Sequence, residues 1–174
     1  MNERTTSRLL LAGMVAGPLV LAGDFIHAFL REGFDLQRHA SSQLALGDLG
    51  WIQQLNFIVA GVLTMAFAIG ARRVLRGQSG GLWGPVLLGV FAVSHVLVGV
   101  FCTDPAFGFP PEPGTPAGIP PYDTASTHAV IHSLSGGIGF NVLAAACFVF
   151  ARHFGRAQLR WMLASLAIGL AILG

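Results

Sequence analysis

Two histidines, His128 and His132, stand at i and i+4 in the stretch Thr-His-Ala-Val-Ile-His that runs from Thr127 to His132. On a helix that spacing turns both imidazoles the same way. Neutral imidazole binds metals and passes protons. The partial positive charge at a helix N-terminus disfavours imidazolium and so favours that neutral form. Zinc or another transition metal is therefore one candidate occupant, with further ligands drawn from His27, Asp24, His95 or Asp104. A hydrolytic zinc site needs three protein ligands and an open position. The glutamate of an HExxH metalloprotease is absent, because Ala129 fills its place. Haem fits less well: His27 or His95 would have to face His132, and no second pair recurs at another depth.

Other polar residues gather at a similar depth. Asp24, His27 and Arg31 fall at i, i+3 and i+7 near the end of a first apolar run. Asn56 enters the second run, His95 lies inside the third, and Asp104 follows it. An ionisable group at the centre of a membrane helix costs about 2.5–3.5 kcal/mol on insertion scales, so such groups face a bundle interior or a wet cavity. Three readings stay open. The cluster is packing glue between helices; or it holds a metal that serves hydrolysis of a lipid-like substrate; or it binds or transports a small molecule or lipid headgroup. In the last reading Arg31, Arg38, His39, Asn56 and His95 are the candidate ligand-binding residues, with helix N-termini assisting an anion.

The elements that must position these residues are apolar runs near 8–30, 51–71, 82–102, 127–151 and 157–174. Each is long enough for a hydrocarbon core of about 30 Å. With 53% hydrophobic and 10% charged residues, the chain of 174 residues has too little polar surface for a water-soluble domain. The expectation is an all-α, polytopic transmembrane helix bundle, one domain over 1–174, whose first partner is the lipid bilayer. The first run resembles a signal peptide at its start, but its apolar pattern continues through Phe25, Ile26 and Phe29, so a retained helix is expected.

All ten basic residues are arginine. Arg4, Arg8, Arg72, Arg73, Arg76, Arg152, Arg156 and Arg160 fall at one end of the alternating spans, and Arg31 and Arg38 at the other. By the positive-inside rule the N-terminus is cytoplasmic, in a multi-pass protein of the cell membrane. A net charge of +2 and the lack of a basic patch interleaved with aromatics exclude a nucleic-acid partner. Cys102 and Cys147 fall near opposite ends of their helices, too far apart for a disulfide.

Two loops join the spans at the end with few arginines. The first, Arg31 to Phe57, carries a short amphipathic segment around Ser41, Ser42, Leu44 and Leu46, and His39 is placed to fold back over the polar layer. The second, Asp104 to Asp123, holds seven of the nine prolines and reads as a stiff strap or lid. Asp123, Thr124, Ser126 and Thr127 are candidate caps for the helix that follows.

The motif order in these loops is distinctive: Arg31, Gly33 and Asp35; His39 and Ser42; Leu44, Gly47, Gly50 and Trp51; Asn56-Phe57; then Phe101-Cys102-Thr103-Asp104-Pro105, the proline-rich loop, and His128, His132 and Ser133. Over essentially the whole chain it resembles the bacterial domain-of-unknown-function family 998. The resemblance implies a small polytopic membrane protein, usually of six helices, and brings no established activity. This chain ends at the fifth span, so either five helices are the whole design or a longer version carries a sixth. A looser likeness in residue types to the zinc sites of alkaline ceramidases and adiponectin receptors concerns the histidine pair alone.

Overall fold

The computed structural model describes residues 2–174. Five α-helices follow one another: α1 (Glu3–Leu30), α2 (Gly50–Val74), α3 (Trp83–Val100), α4 (Thr127–Phe154) and α5 (Leu159–Leu173). Among the described residues there is no strand, only an isolated bridge between Ala106 and Phe109. All five helices, α5 with the short turn before it, are long and apolar enough to cross a membrane. The protein is thus a multi-pass membrane protein, as hydropathy alone predicts.

Helix boundaries follow local chemistry. The Asn2 side chain accepts the Arg4 N–H at 3.1 Å and starts α1. Ser126 does the same for α4, accepting from Ala129 N–H at 3.1 Å, so of the four candidate caps it is Ser126 that closes the helix. Pro85 falls in the first turn of α3, where its missing N–H is harmless. Pro18 lies inside α1, which runs on through it.

Each helix packs on its sequence neighbour: α1 on α2, α2 on α3, α3 on α4, and α4 on α5. The result is an arc whose middle members are the best buried. A third of the most apolar window of α2 and of α3 is buried, 33% in each, against 6% in α1 and in α5. The flanking helices therefore turn most of their surface to hydrocarbon, which needs no protein cover. Close approach between α3 and α4 depends on small residues, and Ser135 and Gly139 stand four apart on one face of α4. A Cβ on Gly139 would lie 3.0 Å from the Ser94 Cβ. Gly13 and Gly17 have the same spacing on α1, where Gly13 packs against Phe67 and Gly17 meets nothing within 4 Å.

The two ends differ. One has short connections and eight arginines. The other carries the segments 31–49 and 101–126, which fold together into a cap. A short 3₁₀ turn, Ser41–Ala45, lies at its centre. Leu44 and Phe109 are both fully buried there. Phe109 meets Phe34 edge to face at 5.2 Å, and the Arg31 guanidinium covers its ring at 5.1 Å. The amphipathic segment thus turns Leu44 inward, and the proline-rich loop supplies the aromatic plug.

Candidate functional site

The cap fixes most of the polar residues that the sequence singles out. Arg31 donates through Nη2 to the Leu46 carbonyl at 2.7 Å and through Nη1 to the Leu44 carbonyl at 3.5 Å. Burial pulls its pKa below the ordinary guanidinium value, while Asp48 and Glu112 push it back up. Arg38 donates to the Ala117 carbonyl at 3.2 Å and so ties the first long loop to the second.

His39, buried at 8% exposure, makes a similar tie. Its Nδ1 accepts the Asp35 N–H at 2.9 Å, which requires the proton on Nε2, and Nε2 then donates to the Phe107 carbonyl at 3.2 Å. Both nitrogens are used.

The histidine pair of α4 grips the end of α3. His132 is buried and its Nδ1 lies 2.7 Å from the Phe101 carbonyl. A carbonyl only accepts, so Nδ1 carries the hydrogen and Nε2 keeps the lone pair in the neutral ring. His128, exposed one turn away, sets its ring edge to face on Phe101, centroids 5.3 Å apart. Asp104 accepts the Ser126 N–H at 2.8 Å. Cys102 donates to the Ala45 carbonyl at 3.7 Å, and burial raises its thiol pKa. Phe101 and Cys102 thus have partners on α4 and on the first loop, and Asp104 ties the far end of its own loop.

Two histidine stations remain, one on each side of α2. In the first, between α1 and α2, Asp24 accepts from the Gln53 amide and, at 3.3 Å, from Asn56 Nδ2, which also donates to the Val20 carbonyl at 3.2 Å. The Ser41 side chain stands alongside. Asn56 reaches α1 because Gly23 is bare there; an added Cβ would lie 2.7 Å from the Asn56 Cγ. His27 is 2% exposed beside Gln53, yet neither ring nitrogen has a hydrogen-bond partner, and the Gln53 Oε1 is likewise unpaired. Each such atom costs about 1–3 kcal/mol.

In the second, a cavity of about 300 Å³ lies among α2, α3, α4 and the Ser41-Ser42 turn. His95 and His132 line it from facing helices, with Ser94 and Ser135 beside them. His95 packs on Phe91 at 4.8 Å and Phe57 at 5.6 Å, and among the described residues no hydrogen bond within the protein reaches its ring. A second hollow of about 460 Å³ shares the Ala40 and Ser42 wall and reaches Asp104, Tyr122 and Ser133.

The structure therefore joins Asp24 to Asn56, with His27 close by on the same helix, and joins His132 and His128 through Phe101, with Asp104 on Ser126. Among the described residues no group of three or more His, Cys, Asp or Glu side chains is placed to hold a metal ion. Gln53, Ser94 and Ser135 complete the two stations and were not among the sequence candidates. Gln53 is visible in retrospect, standing three residues before Asn56 on the same helical face.

No curated protein and no solved structure matches the chain. A family model described as protein of unknown function, DUF998, matches residues 14–174. It covers the last part of α1, the other four spans and both long loops, including the residues that clamp Phe101 and build the cap. The chain belongs to the DUF998 family.

Proposed function

We propose that the protein is a binding protein of the cell membrane, with its N-terminus in the cytoplasm and the cap outside, whose site is the cavity shared by His95 and His132. The arginine bias supports that orientation. One observation carries the reading. His95, a ring without a hydrogen-bonding neighbour, shares an aromatic- and serine-lined cavity of about 300 Å³ with the fixed tautomer of His132. An ionisable side chain at this depth is costly unless it meets a partner, and ligand pockets begin at about this size.

The wall chemistry defines the ligand class. Phe57, Phe91, Phe140 and Val98 take an apolar body, while Ser94, Ser135 and two imidazoles take one or two polar groups. The His132 Nε2 lone pair accepts a hydrogen bond, so the fitting ligand is a small amphiphile with a hydroxyl or other donor. Entry is through the second hollow, past the Ser42 wall. A metal-dependent hydrolase has less support, because among the described residues no three of the candidate metal ligands come together.

The test is a thermal-shift panel of small amphiphiles, such as phenols, medium-chain alcohols and fatty acids, on the wild type, His95→Phe and Gly136→Leu. A Cβ on Gly136 meets nothing within 4 Å, so a larger side chain there starts into open space at the cavity wall. Ligand at a hundredfold its Kd stabilises by about 2.7 kcal/mol. A compound that stabilises the wild type and neither variant supports the site. Hits that act equally on Gly136→Leu sink it.

A further inference from the structure

At the arginine-rich end, α2 and α3 part to leave a long apolar depression. Its first stretch, about 710 Å³, has Met65, Ile69, Arg72 and Arg73 of α2 on one side and Val86 and Val90 of α3 on the other. A second stretch, about 450 Å³, shares Met65, Ile69 and Val93 with the first, so the two are continuous. It continues along Gly61 and Val62 to Val96 and Leu97, with Leu9 of α1 as its far wall. From Gly61 to Arg73 the groove runs about 18 Å along α2, close to the roughly 15 Å depth of one leaflet.

Both guanidiniums stand at one end of this groove and are only half-buried. Eight arginines gather at that end, and among the described residues Glu3 is the one carboxylate there. The neighbouring Arg76 is exposed. Apolar length, position within the spans and an uncompensated positive pair at the head describe a single occupant. An acyl chain fits the groove, and a phosphate suits the arginines, whose planar fork binds phosphate in two-toothed fashion.

We propose that the α2–α3 groove is a binding site for one anionic phospholipid of the adjoining leaflet, its phosphate held by Arg72 and Arg73 and one acyl chain laid between Met65, Ile69 and Val93. The site is independent of the cavity at the other end. Gly89 keeps the groove open: a Cβ there would have only the flexible Met65 end as neighbour, at 3.9 Å.

The experiment is native mass spectrometry of the full chain in detergent with an equimolar mixture of phosphatidylglycerol and phosphatidylcholine of identical chains. The expected result is one retained lipid, phosphatidylglycerol favoured about thirtyfold, as two arginines near a surface imply. Arg72→Gln/Arg73→Gln should bring the ratio near one. Arg152→Gln/Arg156→Gln should leave it unchanged, and Gly89→Leu should reduce retention of both lipids. Equal retention by the wild type overturns the proposal. So does a preference that survives Arg72→Gln/Arg73→Gln, or one lost equally in Arg152→Gln/Arg156→Gln, since either would reflect the general charge of that end.

Discussion

The two stations flanking α2 contain the same side chain in opposite circumstances. His27, between α1 and α2, is sealed at 2% exposure with both nitrogens unpaired, next to a carboxylate already served by two amides. His95, between α2, α3 and α4, also lacks a partner but opens on a cavity. The difference shows that burying an imidazole does not by itself make a site. What matters is whether there is room for a partner to arrive. At His27 the ring is sealed beside Gln53, so it is a packing element whose polar atoms carry a penalty. At His95 comparable isolation is open to a ligand.

The strongest way to break this contrast is to open the roof over both stations. Phe109→Ala removes the fully buried plug of the cap and is expected to lose about 3–5 kcal/mol of stability, read as a fall in Tm in detergent, with amphiphile stabilisation lost as well. A variant that loses this stability yet keeps its binding would show that the cap does not position the cavity.

Gln53→Leu is next. It removes a fully buried amide and leaves Asp24 with one fewer donor, which should cost about 1–3 kcal/mol. Binding in the cavity should be unchanged, because no atom of Gln53 belongs to its wall. Loss of binding at intact stability would join the two stations into one.

His27→Leu and His132→Phe sharpen the contrast at smaller scale. The first deletes two unpaired atoms and should raise stability by about 1 kcal/mol or more. The second breaks the bond to the Phe101 carbonyl and should lower stability by about 1–2 kcal/mol. Equilibrium unfolding of the two variants, side by side, reads the sign directly. A large loss on His27→Leu would make that ring a bound partner after all.

The smallest effect concerns Cys102. Its thiol is half-buried, donates to the Ala45 carbonyl and has a pKa raised by burial, so little thiolate forms near neutral pH. Maleimide labelling at pH 7 should be slow and should accelerate in Phe109→Ala. Fast labelling of the wild type would mean that the cap opens readily.

Much of this architecture is legible in the chain because lipid imposes it. The five spans follow from hydropathy, and the five helices reproduce them to within a few residues at most boundaries. The polar layer follows from counting depth along each helix. The partners are not legible, and the reason is physical. A spacing of i and i+4 shows that His128 and His132 share a face, but not that the face meets the ring and carbonyl of Phe101. Arg31 reads as a free cation, yet the carbonyls left bare by the tight turn near Leu44 and Leu46 claim it. Ser94 and Ser135 read as small packing residues and do pack, but they also line the cavity. Such assignments depend on how loops fold over helix ends, where no periodicity constrains the sequence.

The central claim is that the His95–His132 cavity holds a small ligand. Its most direct test is native mass spectrometry of the wild type, His95→Phe and Gly136→Leu, purified gently from the same membranes and stripped of lipid. The account predicts a small-molecule adduct on the wild type that both variants lose. The same spectrum for all three proteins, whether bare or with the adduct retained, would contradict it.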